Sequence, residues 1–62
     1  MEHYFDNYAV FFVNKSDITS TYLFDDYIGG AKFLGTLTLF DISPYERGGY
    51  FAHYRGTVYG QS

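Results

Sequence analysis

Cysteine is absent from this chain of 62 residues, and its absence removes three kinds of chemistry. Without thiols there is no disulfide, no thiolate metal site and no cysteine nucleophile. A chain this short lies near the lower limit at which a hydrophobic core holds a fold without such aids. We therefore expect one small domain, residues 1–62, that gains its stability in another way.

Basic residues are scarce: four lysines and arginines stand against seven aspartates and glutamates, a net charge of −3. The imbalance is strongest in residues 1–31, where five acidic residues accompany Lys15 alone. Nucleic-acid binding draws much of its affinity from neutralised phosphates, so few basic residues make nucleic acid an unlikely partner. An acidic half can instead steer the chain towards a partner with a basic surface.

Long apolar runs are also missing. None approaches the roughly 20 residues that a membrane-spanning helix needs. The first residues, MEHYFDNY, lack the basic head of a signal peptide. We therefore expect no membrane partner and a cytoplasmic location, which is the host cytoplasm if a phage encodes the chain.

Aromatic residues are what the chain has in excess, with eight tyrosines and seven phenylalanines. Each ring can bury about 150–250 Å², and so many rings exceed what the inside of a small domain holds. Some rings should therefore lie at the surface, where tyrosine-rich patches are typical of protein interfaces. This surplus predicts a homo-oligomer, most simply a dimer, in which the rings are covered.

Alternation of side chains predicts strands at residues 3–14, 31–42 and 50–59. In residues 31–42, Phe33, Leu37 and Leu39 should point to the core. Gly35 lies on the same face, and a glycine there indicates a close approach of backbones or a bulge. Within residues 3–14 the strand is apolar on both sides from Ala9 onwards, which is typical of a central strand or of one that a partner covers.

The segment 16–30 is ambiguous. The run Thr19, Ser20, Thr21 is poor in a helix and favours a strand over 18–24. Ser16 as an N-cap and Gly29 as a stop favour a helix instead. The predicted fold class is all-β, a small antiparallel sheet of three to four strands. The alternative is α+β, in the order β-α-β-β, with a short helix at about 17–28.

The stretch RGGYFAHYRG, residues 47–56, begins like the stacking strand of an RNA-recognition domain. The alternation of a strand places Gly49 where that motif needs a ring and turns Tyr50 and Tyr54 to the core. Single-stranded nucleic-acid binding therefore stays the alternative function. Its face consists of Phe51, His53, Arg55 and Tyr59.

Catalytic and metal-binding patterns are weak. His3 and His53 have no ligand-like spacing, so we expect neither a metal nor another cofactor. Ser43, His53 and Asp41 are candidates for hydrolytic chemistry, but their spacing does not bring them together. A sheet of this size also rarely encloses a catalytic pocket, so an enzyme is not expected.

These observations favour a non-enzymatic protein-binding module, an inhibitor or adaptor that docks on a larger partner. In composition only, the chain resembles the small acidic inhibitors that phages and mobile elements direct against nucleic-acid-handling enzymes of the host. Such inhibitors occupy basic grooves meant for phosphates. The residues predicted to bind the partner are Asp6, Asp25 and Asp26 for charge, and Tyr22 and Tyr27 as aromatic anchors.

Overall fold

The computed structural model describes residues 1–61 and contains four antiparallel strands in one sheet. The strands are β1 (Glu2–Phe12), β2 (Thr21–Ile28), β3 (Ala31–Pro44) and β4 (Tyr50–Gly60). Their order across the sheet is β1-β4-β3-β2. A single 3-10 turn, Lys15–Asp17, starts the connection from β1 to β2. The all-β prediction is therefore confirmed.

The second segment is a strand, so the alternative helix at about 17–28 is wrong. β2 pairs with β3 in unbroken register from Thr21, opposite Thr38, to Ile28, opposite Ala31. Gly29 and Gly30 form the two-residue turn between them, with φ of 58° and 84°. Positive φ at both turn residues suits the twist of a hairpin, and glycine adopts it without steric cost. The β-branched residues and this turn outweigh the helical signals.

The core lies on one face of a strongly curled sheet. Phe5 of β1 and Phe24 of β2 pack with ring centroids 5.0 Å apart, although these strands are the two edges of the sheet. The face on which they meet is therefore concave. Its fully or almost fully buried side chains are Phe24, Phe33, Leu37, Ala52, Tyr54 and Val58.

The predicted core faces of β3 and β4 are confirmed, including the role of Gly35. A β carbon at Gly35 would lie 2.8 Å from the carbonyl oxygen of Thr57 and 2.9 Å from the Cα of Val58. Real side chains do not approach so closely, so glycine lets β3 press against β4 at this point.

The expectation of a central position for residues 3–14 is wrong. β1 is an edge strand that pairs with β4 alone. Its outward apolar side chains, such as Phe11, are exposed within the single chain, so cover by a partner stays a prediction. The hydrophobicity of both faces therefore has another cause than burial inside the sheet.

Two β-bulges flank β4, one on each side. The register between β1 and β4 shifts between Phe5 and Tyr8, and the register between β3 and β4 shifts between Leu39 and Asp41. Each bulge adds one residue and so exchanges the faces of the side chains that follow it. As a result Asn7 and Ser43, which strict alternation would turn inward, lie on the outer face with His53.

Candidate functional site

The convex face of the sheet carries the exposed apolar side chains. Leu23 and Tyr27 are 63% and 62% exposed, although both belong to a regular strand. The large hydrophobic residues that are exposed within the four strands all lie on this face: Tyr4, Phe11, Leu23, Tyr27, Leu34, Phe40 and Tyr59. Since the concave face already holds the core, this second apolar face has no partner within the chain.

One row of residues crosses all four strands of the convex face. Tyr59 of β4 lies between Glu2 of β1 and Leu34 of β3, and Leu34 is in turn opposite Asp25 of β2. We call these four residues the convex row. An exposed tyrosine and leucine thus form its centre, and a carboxylate stands at each end.

A lysine next to the convex row is already paired. Lys32 Nζ lies 3.2 Å from an oxygen of Asp25, and both side chains are about half exposed. An ion pair this open to water adds little stability, and it leaves Asp25 accessible to another cation. Tyr27 is opposite Lys32 in the register and extends the same exposed surface.

The predicted partner-binding residues divide between the two faces. Asp25 and Tyr27 lie on the convex face of β2, and exposed Asp6 lies in the β1 bulge. Asp26 is exposed at the end of the concave side, where its Oδ1 accepts a hydrogen bond from the Tyr27 amide. Tyr22 packs inward, with its ring 5.5 Å from that of buried Tyr54.

The phenol of Tyr8 is perturbed by its inward surroundings. Tyr8 lies 5.6 Å from Tyr22, measured between ring centroids. Burial raises the pKa of the Tyr8 phenol above its ordinary value of 10.0, and the neighbouring Tyr22 and Asp26 raise it further. Each of these causes disfavours the phenolate. Both rings pack against the core on the concave side of the sheet.

The alternative nucleic-acid face lies together on the convex side of β4, as the alternation predicts. Arg55 and Tyr59 are exposed, whereas Phe51 and His53 are half-buried. The Arg55 guanidinium lies 5.0 Å from the centre of the Phe40 ring, in a cation-π contact. The surface supplies rings for stacking, but its position between acidic edges opposes phosphate binding.

Three polar side chains form a hydrogen-bonded chain on this face, which we call the cross-strand triad. Ser43 Oγ lies 2.7 Å from His53 Nε2, and His53 Nδ1 lies 2.9 Å from Asn7 Oδ1. The residues come from β3, β4 and β1. The sequence spacing did not predict that Ser43 and His53 meet, because the bulge in β3 is needed to turn Ser43 to the face of His53. No feature of the sequence pointed to Asn7, which reaches this face through the bulge in β1.

A cluster of three rings, the distal cluster, occupies the end of the sheet near the turn between β3 and β4. Phe11 and Phe51 pack 5.4 Å apart, and Tyr45 packs against both at 6.3 and 5.6 Å, measured between ring centroids. A β carbon at Gly49 would collide with the Phe11 ring. Glycine therefore allows Phe11 to lie across the turn.

Over residues 1–61 we find no enclosed cavity and no group of three or more side chains suited to hold a metal ion. The described part of the chain also contains no helix that is long and apolar enough to cross a membrane. The candidate sites described above are surfaces, namely the convex row, the cross-strand triad and the distal cluster.

Comparison with known proteins identifies no relative. No protein-family model matches the chain, and neither a curated protein nor a solved structure is significantly similar to it.

Proposed function

We propose that this chain is a protein-binding module that docks through the convex row on a larger partner with a basic surface. The observation that carries the proposal is the row itself, in which exposed Tyr59 and Leu34 lie between two carboxylates. Tyrosine offers a large contact area at low cost in conformational entropy, and a sheet holds it rigidly. The carboxylates of Glu2 and Asp25 favour lysine or arginine around the apolar centre of the partner's site.

A basic groove for phosphates is one surface with this chemistry. If this chain filled such a groove, it would inhibit the partner protein by blocking access of the phosphates, without any catalysis. This is the inhibitor role expected from the composition of the chain, and the compartment in which it acts is that of the partner. Asp6, Asp25, Asp26 and Tyr27 contribute to docking in this proposal, whereas the inward position of Tyr22 supports the strand that carries them.

Affinity capture from a lysate of the native cell, followed by mass spectrometry, is the first test. We expect the unmodified chain to retain a basic protein that a Leu34→Ser, Tyr59→Ser double variant does not retain. Val13→Ser is the matched control because Val13 is 72% exposed and lies outside the convex row. Equal capture by both variants would refute docking through this row.

Charge reversal tests the electrostatic contribution to docking on the basic partner. With the captured protein purified, Asp25→Lys combined with Asp26→Lys should slow association several-fold at low salt, because steering depends on charge at the contact surface. Asn14→Lys, Ser16→Lys and Asp17→Lys together change the net charge equally, at exposed positions away from β2 and from the distal cluster. An on-rate that falls equally in this triple variant and in the double variant would mean that only the net charge matters.

The alternative function, single-stranded nucleic-acid binding through Phe51, His53, Arg55 and Tyr59, is tested with a labelled oligonucleotide at low salt. The docking proposal predicts no binding at high micromolar protein. Binding that is lost in Arg55→Ala and weakens steeply with salt would favour the alternative instead.

We propose further that the distal cluster joins two copies of the chain. Its three rings leave apolar surface exposed, and Glu46 and Arg47 follow Tyr45 in the adjacent turn. In a twofold dimer, if residue i of one copy contacts residue j of the other, then j of the first copy also contacts i of the second. In the proposed dimer Glu46 of each copy therefore faces Arg47 of the other. Opposite charges side by side at the rim therefore suit self-association, whereas the acidic ends of the convex row suit a different, basic partner.

A further inference from the structure

The cross-strand triad has the connectivity of an activated nucleophile. A hydroxyl contacts one ring nitrogen of a histidine, and the other ring nitrogen contacts a side-chain oxygen that orients it. This arrangement of nucleophile, base and orienting group is the general pattern for covalent catalysis by serine. Both distances are within ordinary hydrogen-bonding range.

The orienting group determines which nitrogen carries the proton. Asn7 Oδ1 is an acceptor only, so His53 Nδ1 must donate to it. In the neutral ring Nε2 is then unprotonated and accepts the hydrogen bond of the Ser43 hydroxyl. The contact with Asn7 therefore holds His53 in the form that acts as a base towards Ser43.

The backbone supports this geometry from three strands. Asn7 lies within the shift in β1, Ser43 follows the shift in β3, and His53 lies on β4 between them. Bulges often re-aim a side chain next to a functional site. Here two of them are needed, since loss of either would turn one member of the triad to the concave face.

Aromatic rings flank the triad on the same face. Phe40 packs with its ring centroid 6.2 Å from that of His53, and Phe51 is opposite Ser43 in the register. Arg55 covers Phe40 and brings a positive charge to this side. The flanking rings favour an acyl donor with a flat aromatic leaving group, and the open surface admits a small one.

We propose that Ser43 is an activated nucleophile that accepts an acyl group from activated aryl esters. Ser43 Oγ forms a bond to the carbonyl carbon while its proton passes to His53 Nε2. The bond from that carbon to the aryl oxygen breaks, and the phenolate leaves with the electron pair of that bond. The proton is returned from Nε2 to the phenolate or to water, so that acyl-Ser43 and neutral His53 remain. The proposal requires one acyl transfer per chain and no turnover, and it does not depend on docking.

The test uses the full chain and p-nitrophenyl acetate as the probe. Released nitrophenol is followed by absorbance, and the acetylated residues are located by peptide mass spectrometry. We expect Ser43 to be acetylated at least tenfold faster than Ser16 and Ser20 of the same molecule, a comparison that needs no variant. Labelling of Ser43 no faster than of these two serines, or only of amines and phenols, would overturn the proposal.

Variants separate chemistry from structure. His53→Gln should reduce Ser43 acetylation about a hundredfold, within the range of general-base contributions. Asn7→Leu should slow it, and Asn7→Asp should restore or exceed the original rate because a carboxylate also accepts from Nδ1 and stabilises the charged ring. Ser16→Ala is the control and should change nothing. An unchanged rate in His53→Gln would show that His53 is not the base and would also overturn the proposal.

Discussion

Tyr8 is the residue at which the two edges of the sheet converge. Its ring contacts Phe5 on its own strand and both Tyr22 and Phe24 on β2. Aromatic pairs in edge-on or tilted arrangements stabilise a core beyond the area that they bury. The Tyr8 phenol thus lies between other rings and close to Asp26, where a negative charge on its oxygen is disfavoured.

Replacing Tyr8 by phenylalanine tests this burial through the pH dependence of stability. The raised pKa means that below about pH 10 both folded and unfolded chains carry the neutral phenol, so its contribution is constant there. Above pH 10 the unfolded state releases the proton first, and the free energy of unfolding falls as pH rises.

Tyr8→Phe should show a smaller loss of stability between pH 9 and about pH 11 than the unmodified chain, measured by urea unfolding followed by circular dichroism. Tyr4→Phe, at an exposed position on the same strand, should behave like the unmodified chain. Equal slopes for all three proteins would contradict the assigned environment of Tyr8.

Single residues were predicted well where strict alternation holds. Gly35 was expected at a close backbone approach, and Tyr54 was expected in the core; both are there. The faces of Asn7 and Ser43 could not be predicted, because Asn7 lies in one bulge and Ser43 follows the other. Nothing in the adjacent residues marks a bulge. A bulge is set by pairing across strands, which is long-range information that local sequence does not contain.

At the scale of elements, a buried hydroxyl helps to tie the long connection between β1 and β2 to the core, where Ile18 of the same connection also packs. Tyr54 is completely buried, and its hydroxyl donates a hydrogen bond of 2.8 Å to the carbonyl oxygen of Thr19. Thr19 itself is exposed and precedes β2. The connection is therefore held at its far end, just before the chain enters the sheet.

Tyr54→Phe keeps the ring and removes this bond. We expect the free energy of unfolding to fall by about 1 kcal/mol, since the net value of a hydrogen bond is of that order. Amide protons of residues 18–20 should exchange faster with solvent, as measured by nuclear magnetic resonance. Tyr59→Phe is the control because Tyr59 is 56% exposed. Unchanged exchange in Tyr54→Phe would show that the connection is held by other contacts.

The elements themselves were largely predictable. Residues 31–42 and 50–59 closely match the observed strands because their alternation is regular over most of their length. The second strand was ambiguous because its threonine run begins before the strand does, and Asp25 and Asp26 are poor strand formers. Pairing with β3 decides the outcome, and it continues the strand as far as the glycine turn.

At the scale of the whole molecule, the convex row and the distal cluster are two separate surfaces that expose aromatic and aliphatic side chains. They lie at different places on an elongated body of 40 × 18 × 17 Å. The convex row has acidic ends, whereas the distal cluster has charges of both signs beside it. The surplus of rings was visible in the composition. Its division into two surfaces was not, because it depends on which rings the register brings together.

A charge swap tests the proposed dimer. Glu46→Arg alone and Arg47→Glu alone should each be monomeric by light scattering at micromolar concentration, because like charges would meet across the twofold axis. An equimolar mixture of the two variants should form a mixed dimer, since every pair then regains opposite charges. A monomer for the unmodified chain, or dimers that persist in both single variants, would refute self-association through this cluster.

The first and last strands lie side by side, and the Gly60 amide donates a hydrogen bond of 2.7 Å to the carbonyl oxygen of Met1. The two ends of the described chain are therefore adjacent in the sheet. Joining residues 61 and 1 by a short linker would turn β4 and β1 into a hairpin. New ends at Gly29 and Gly30 would leave all three ladders intact. The β1–β4 pairing, now the most distant along the chain, would become local, whereas the β2–β3 pairing would become the distant one. Distant pairings form slowly because the chain between them must first close a long loop. The slowest step in forming this sheet is thus a property of where the chain is opened, not of the sheet itself.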